Sequence, residues 1–158
     1  MDIIWEELTS GLPDARQLVH VLIRLAAATL LGAVVGFQRE RAGKPAGLRT
    51  HMLVTLGTAV FVLACSGVGM SSDGLSRVIQ GIVTGIGFIG AGSILKLSEE
   101  RDVQGLTTAA GVWMTAAIGV AVGLGSLGVA LLSTFFTLVI LSLAGRLEHK
   151  GGESRTDG

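Results

Sequence analysis

Residues 127–145 read LGVALLSTFFTLVILSLAG, without one charged side chain. A bilayer core of about 30 Å needs about 20 helical residues to cross it. This stretch therefore predicts a transmembrane helix, and it sets the reading of the rest. Working outward, residues 18–37, 50–69, 77–96 and 107–124 have similar length and character, with the fifth span placed at 126–145. Only 15% of the 158 residues are charged, and mean hydropathy is +0.66. A soluble domain of this size carries about a quarter charged residues. The fold class expected is all-α, a polytopic bundle of five transmembrane helices. The domain occupies 18–146, between an N-terminal extracytoplasmic or interfacial segment (1–17) and a disordered cytoplasmic tail (147–158). Trp5, with Ile3, Ile4 and Leu8, suits a short interfacial helix that Pro13 would end.

Charge placement sets the expected topology. Nine of the twelve Lys and Arg fall in the loops after spans 1 and 3 and in the tail, against Arg16 and Arg77 on the other side. The positive-inside rule then places the N-terminus outside and the C-terminus in the cytoplasm. Asp2, Glu6, Glu7 and Asp14 in the first 17 residues are the opposite of a basic signal-peptide start. Formal net charge is zero, so nothing points to nucleic acid. The single cysteine, Cys65, excludes an intrachain disulfide and reads as a small apolar filler.

Glycine is abundant, at 24 residues. Span 4 is rich in Ala and Gly, which predicts a position inside the bundle. Span 3 holds Gly81, Gly85, Gly87, Gly90 and Gly92. The Gly81–Gly85 pair has small-xxx-small spacing and predicts close helix packing. A helix break at Gly87–Gly92, of the kind that lines transporter sites, is the alternative reading. Gly47-Leu48-Arg49-Thr50 opens span 2, and Gly105-Leu106-Thr107-Thr108 opens span 4, which suggests two repeated hairpins.

Arg24 lies about six residues into span 1, where an ionisable group is a functional-site hypothesis by default. The competing reading is a structural arginine that snorkels or caps helix carbonyls. Asp73 or the N-terminal acids are its acidic candidates. No Asp or Glu lies within a span, which weighs against a membrane-embedded Mg²⁺ site built on carboxylates. Glu40, Glu99, Glu100 and Asp102 instead gather at the expected cytoplasmic edge, with Arg39, Arg41, Lys44 and Arg49. They form either ordinary surface pairs or a cluster tying the hairpins together. At the mouth of span 2, Gly47 is expected to turn the chain through unusual dihedrals. Thr50 is expected to cap the helix, and Arg49 to bind Glu40 or Asp102 bidentately. Thr107 or Thr108 would cap span 4 in the same way.

LGAVVGFQRERAGKPAGLRTHMLVTLGTA (31–59) and GIGFIGAGSILKLSEERDVQGLTTAAGVWMTAAIGVAVGLG (85–125) resemble the membrane domain of the MgtC/SapB family. The resemblance runs from about residue 18 to 145. It implies a bacterial inner-membrane protein associated with growth in low magnesium. In the best-studied type it implies restraint of the F-type ATP synthase and not direct Mg²⁺ transport, although many members carry a transporter label. It marks Arg24, Glu40, Gly47, Arg49, Thr50, Gly90, Gly92, Gly105, Thr107, Thr108 and Trp113 as recurrent positions. Virulence-type members resemble this domain followed by a soluble ACT-like domain. The chain stops shortly after span 5, so roles needing that domain are not expected of it.

Three functions follow for testing. The first is a non-enzymatic regulator acting through helix contacts with another membrane protein. The second is a transporter or channel for Mg²⁺ or another small solute, using backbone carbonyls of a broken helix. The third is a membrane enzyme, disfavoured because no nucleophile–base pair, HExxH or phosphate loop is present. GIGFIGAG lacks the preceding strand of a dinucleotide loop. No cofactor is expected, and a homodimer through span 3 or 4 is.

Overall fold

The computed structural model describes residues 3–4, 14–67, 69–96 and 103–153. It contains five long helices: α1 (Ala15–Arg41), α2 (Leu48–Gly67), α3 (Ser72–Gly92), α4 (Leu106–Gly123) and α5 (Leu127–Glu153). The first four are long and apolar enough to cross a membrane, and α5 is apolar over Leu127–Leu143. Seventeen residues is the short end of the spanning range. Ile3 and Ile4 are helical and exposed, while Trp5, Leu8 and Pro13 lie outside the described residues. α5 stays helical past 146, where the tail was expected to begin. Extending an existing helix adds one hydrogen bond per residue fixed.

Local chemistry sets the helix ends. The Asp14 carboxylate accepts from the Gln17 N–H at 2.7 Å and starts α1. The Ser71 hydroxyl accepts from Gly74 N–H and starts α3. Gly43, Gly69 and Gly125 have φ between +66° and +81° and close α1, α2 and α4 in Schellman turns. α3 begins five residues before the expected 77 and ends at Gly92. The last residues assigned to span 3 instead form a two-residue antiparallel ladder, Leu95 opposite Gln104 and Lys96 opposite Val103.

α4 is the central helix and touches α1, α2, α3 and α5. It is the most buried of the spans, as its Ala/Gly content predicts. The main core joins Ala28 and Val35 of α1, Ala59 of α2, Ile118 and Val122 of α4, and Ala130 and Leu141 of α5. Large apolar side chains such as Leu30, Phe61, Phe135 and Ile140 face outward, as lipid-facing positions should. Hydroxyls within the spans are satisfied locally: Thr29, Thr55, Thr58 and Thr134 each donate to the carbonyl four residues back.

The packing glycines are not the pair the sequence singled out. A Cβ on Gly81 or Gly85 would meet nothing within 4 Å, so neither packs another helix within the chain. α3 meets α4 at Gly90, where a Cβ would sit 3.6 Å from Ala109 Cβ. The close approaches are made by Gly32 and Gly36 on α1 and by Gly119 and Gly123 on α4. A Cβ on Gly32 would lie 2.7 Å from the His51 carbonyl oxygen; one on Gly36 would lie 2.7 Å from Leu48 Cα. One on Gly119 would lie 2.5 Å from the Thr55 carbonyl oxygen. Thr55 is thus clasped between α1 and α4. Among the described residues, α3 has no internal break at Gly87–Gly92: the segment is helical throughout and simply terminates there.

The two GL-containing openings occupy equivalent positions. α2 and α4 begin at Leu48 and Leu106, and the Gly47 and Gly105 carbonyls accept from His51 and Ala109 N–H.

Candidate functional site

Three helices converge on a buried polar cluster beside the loop that joins α1 to α2. Arg39, near the end of α1, is 2% exposed, and His51, near the start of α2, is fully buried. The Arg39 guanidinium donates through Nη2 to Thr108 Oγ1 of α4 at 3.0 Å. His51 Nδ1 lies 2.7 Å from Thr115 Oγ1, also of α4. The single Thr115 hydroxyl hydrogen is directed at the Gly111 carbonyl, 2.8 Å away. The imidazole therefore donates from Nδ1 and keeps its lone pair on Nε2. Nε2 is buried and has no hydrogen-bond partner among the described residues.

Amphipathic helix logic explains why these residues meet. Thr108 and Thr115 are seven residues apart and share one face of α4, as do His51 and Thr55 on α2. The Gly32 and Gly36 contacts bring α1 close enough to α2 for Arg39 to reach past it to α4. An arginine at this depth is costly unless hydrogen-bonded, and here it has a buried partner. The His51–Thr115 pair looks like a base beside a hydroxyl. Its hydrogen bonding runs the wrong way for activation, because the ring donates to the oxygen that a base would deprotonate.

The residues expected at the mouth of α2 divide differently from the sequence reading. Thr50 does not cap α2; it sits inside the first turn. The cap comes from α1: Glu40 Oε2 accepts from Leu48 N–H at 2.8 Å. Glu40 is therefore not the partner of Arg49, which is exposed, and Asp102 lies outside the described residues, with Glu99 and Glu100. Gly47 has no positive φ; its role is closeness, since a Cβ there would lie 2.7 Å from Glu40 Oε2. Gly105 takes the left-handed conformation, at φ +95°, and occupies the N-cap of α4. Neither Thr107 nor Thr108 caps that helix: Thr107 is exposed, and Thr108 serves Arg39. Trp113 is 47% exposed on the outer face of α4, away from the cluster.

Arg24 belongs to another place and another task. Its Nη1 donates to the Gly123 carbonyl at 3.0 Å, so it caps the last turn of α4. Among the described residues it makes no ion pair to Asp73, and the acids Asp2, Glu6 and Glu7 lie outside them. A cation at a helix C-terminus meets the negative end of the dipole. Of the expected site residues that the structure describes, only Thr108 belongs to the buried cluster. Arg39 is expected from the sequence only in the charged cluster at the cytoplasmic edge, His51 only as the neighbour of Arg49 and Thr50, and neither Thr55 nor Thr115 is singled out. The signal that finds them is spacing: residues 39, 108 and 115 are polar positions on the helices that carry the GxxxG pairs 32–36 and 119–123, and residues 51 and 55 lie on the face of α2 that those glycines meet. Among the described residues, no group of three or more His, Cys, Asp or Glu is placed to hold a metal ion.

Comparison with known proteins matches residues 25–150 to the model of the MgtC family. The chain is 47% identical over 137 residues to SrpB of Synechococcus elongatus, covering 80% of this chain and 75% of that protein. It is 44% identical over 128 residues to MgtC of Brucella abortus, covering 81% and 52%. It is 39% identical over 139 residues to YhiD of Escherichia coli K12, whose name provisionally makes it a magnesium transporter, covering 82% and 62%. The chain thus spans about half the length of that MgtC protein. No solved structure matches it.

Proposed function

The chain belongs to the MgtC family, and from that premise we propose that it is a bacterial inner-membrane protein of magnesium homeostasis acting as a non-enzymatic regulator of another membrane protein. Its N-terminus lies outside and its C-terminus in the cytoplasm, the side given nine of its basic residues. The observation that carries the regulator reading is the use of the interior polar groups. Arg39 with Thr108, and His51 with Thr115, bind one another across α1, α2 and α4. Glycine contacts draw the same helices to backbone distance. That construction locks a bundle and does not line a polar passage. The outer face of α3, with Val83 and Phe88 exposed, is the surface for self-association. α4, the most buried of the spans, offers less surface for it. The F-type ATP synthase, implied by the family resemblance, is the first partner to test.

The second reading is a transporter or channel for Mg²⁺ or another small solute, favoured by the name of YhiD. Mg²⁺ entry into proteoliposomes holding this protein and an internal indicator separates the two. The expected result is flux equal to empty liposomes with folded, inserted protein. Saturable flux that Arg39→Gln or Thr115→Val abolishes would overturn the regulator reading. Cross-linking single cysteines at Val83, Gly87 or Phe88, with Cys65→Ser as background, tests the dimer. No dimer band at any of them rejects it.

A further inference from the structure

α2 and α3 touch only lightly, and between them lies a groove of about 580 Å³. Leu53, Gly57 and Phe61 line one side, and Ile82, Gly85 and Ile89 the other. Leu53 and Phe61, at 68% and 61% exposure, form an open rim facing the bilayer. Gly57, Gly81 and Gly85 leave the floor bare, with no atom within 4 Å of where a Cβ would sit. Thr58, the polar residue of the lining, donates its hydroxyl to the Val54 carbonyl of its own helix. The groove therefore offers no unsatisfied polar side chain among the described residues, and it suits hydrocarbon.

One end of the groove is charged. Arg49 precedes Leu53 and Gly57 by four and eight residues, so the three share a helix face. It is exposed and has no hydrogen-bond or ion-pair partner among the described residues. From Arg49 to Phe61 is a rise of about 18 Å along α2. Half the thickness of a bilayer core is about 15 Å. A chain headed at Arg49 thus reaches the far end of the groove from one leaflet. A guanidinium matches a phosphate in geometry as well as charge. A second copy of the protein fits less well. In the same membrane orientation, a symmetric partner seated in the groove would bring its own Arg49 to the same level.

We propose that this groove binds one anionic phospholipid of the surrounding bilayer, with an acyl chain between α2 and α3 and the phosphate on Arg49. Native mass spectrometry of the full chain in mild detergent tests this, titrating dioleoyl phosphatidylglycerol and dioleoyl phosphatidylcholine in parallel. One phosphatidylglycerol is expected to be retained at lower concentration than phosphatidylcholine. Arg49→Gln is expected to weaken phosphatidylglycerol about fivefold and phosphatidylcholine less, because the choline cation already offsets the charge of its phosphate. Gly85→Leu, which fills the groove, is expected to remove both; Gly87→Leu, on the outer face, is expected to keep both. Equal phosphatidylglycerol retention by Arg49→Gln and the parent protein would overturn the proposal, and this exposed substitution reads out even if Gly85→Leu fails to fold. So would a folded Gly85→Leu variant that keeps its lipid, or one that loses a dimer and not a lipid.

Discussion

Replacing Gly119 with alanine places a methyl group where α4 has no room for one. Its carbon would lie 2.5 Å from the Thr55 carbonyl oxygen, 3.0 Å from Thr55 Cα, and against the Thr58 hydroxyl. The hydroxyl can rotate away, but the Thr55 backbone cannot. Relief requires α2 and α4 to part by roughly 0.5–1 Å, a gap that forfeits a quarter to a half of each facing dispersion contact. Overpacking of this kind costs about 1–3 kcal/mol. Alanine returns up to about 1 kcal/mol through helix propensity. The net expectation is a loss of about 1–2 kcal/mol. Gly85→Ala is the control, because its methyl meets nothing within 4 Å. It keeps only the propensity gain, up to about 1 kcal/mol. The two substitutions are chemically identical and should have opposite signs. Reversible unfolding in mixed detergent–SDS micelles, followed by far-ultraviolet circular dichroism, measures both. Equal stabilities for the two variants would refute the assignment of Gly119, and not Gly85, to helix packing.

Three further outcomes follow from the same geometry. Thr108→Val removes the buried partner of the Arg39 Nη2 and should cost about 1–3 kcal/mol in the same unfolding assay, whereas Thr107→Val, on an exposed residue, should change little. Gly125→Ala forces a side chain into a φ of +81° and against the Arg24 guanidinium, 2.5 Å away, and should lower stability by about 1–3 kcal/mol. Glu40→Gln weakens the cap on α2 and should speed hydrogen exchange at the Leu48 amide, with a stability loss of up to about 1 kcal/mol.

The membrane class and the helix count were legible because they depend on quantities additive along the chain. An uncharged run such as 127–145 has one stable home, and hydropathy alone identifies it. The burial of α4 was legible for a similar reason, since Ala and Gly are useful only where another helix approaches. Arg24 stands out in the sequence as an arginine inside a span, but its partner was not legible. The Gly123 carbonyl is a backbone atom ninety-nine residues away, and no sequence pattern announces it.

Local composition determined the spans, the charged end of the bundle and the glycine-rich character of α3. Three GxxxG pairs within the helices, at 32–36, 81–85 and 119–123, are equivalent as sequence. Only the tertiary arrangement decided that the first and third clasp α2 while the second faces an open groove. The reason is that a glycine states only what its own helix permits, and the facing helix supplies the contact. The same holds at the mouth of α2. Thr50 has the chemistry of a cap, yet Glu40 of α1 takes the Leu48 N–H, because Gly47 lets that carboxylate come within reach. Arg39 and His51, two polar residues among several in the sequence, became the centre of the cluster only once α1, α2 and α4 were packed together.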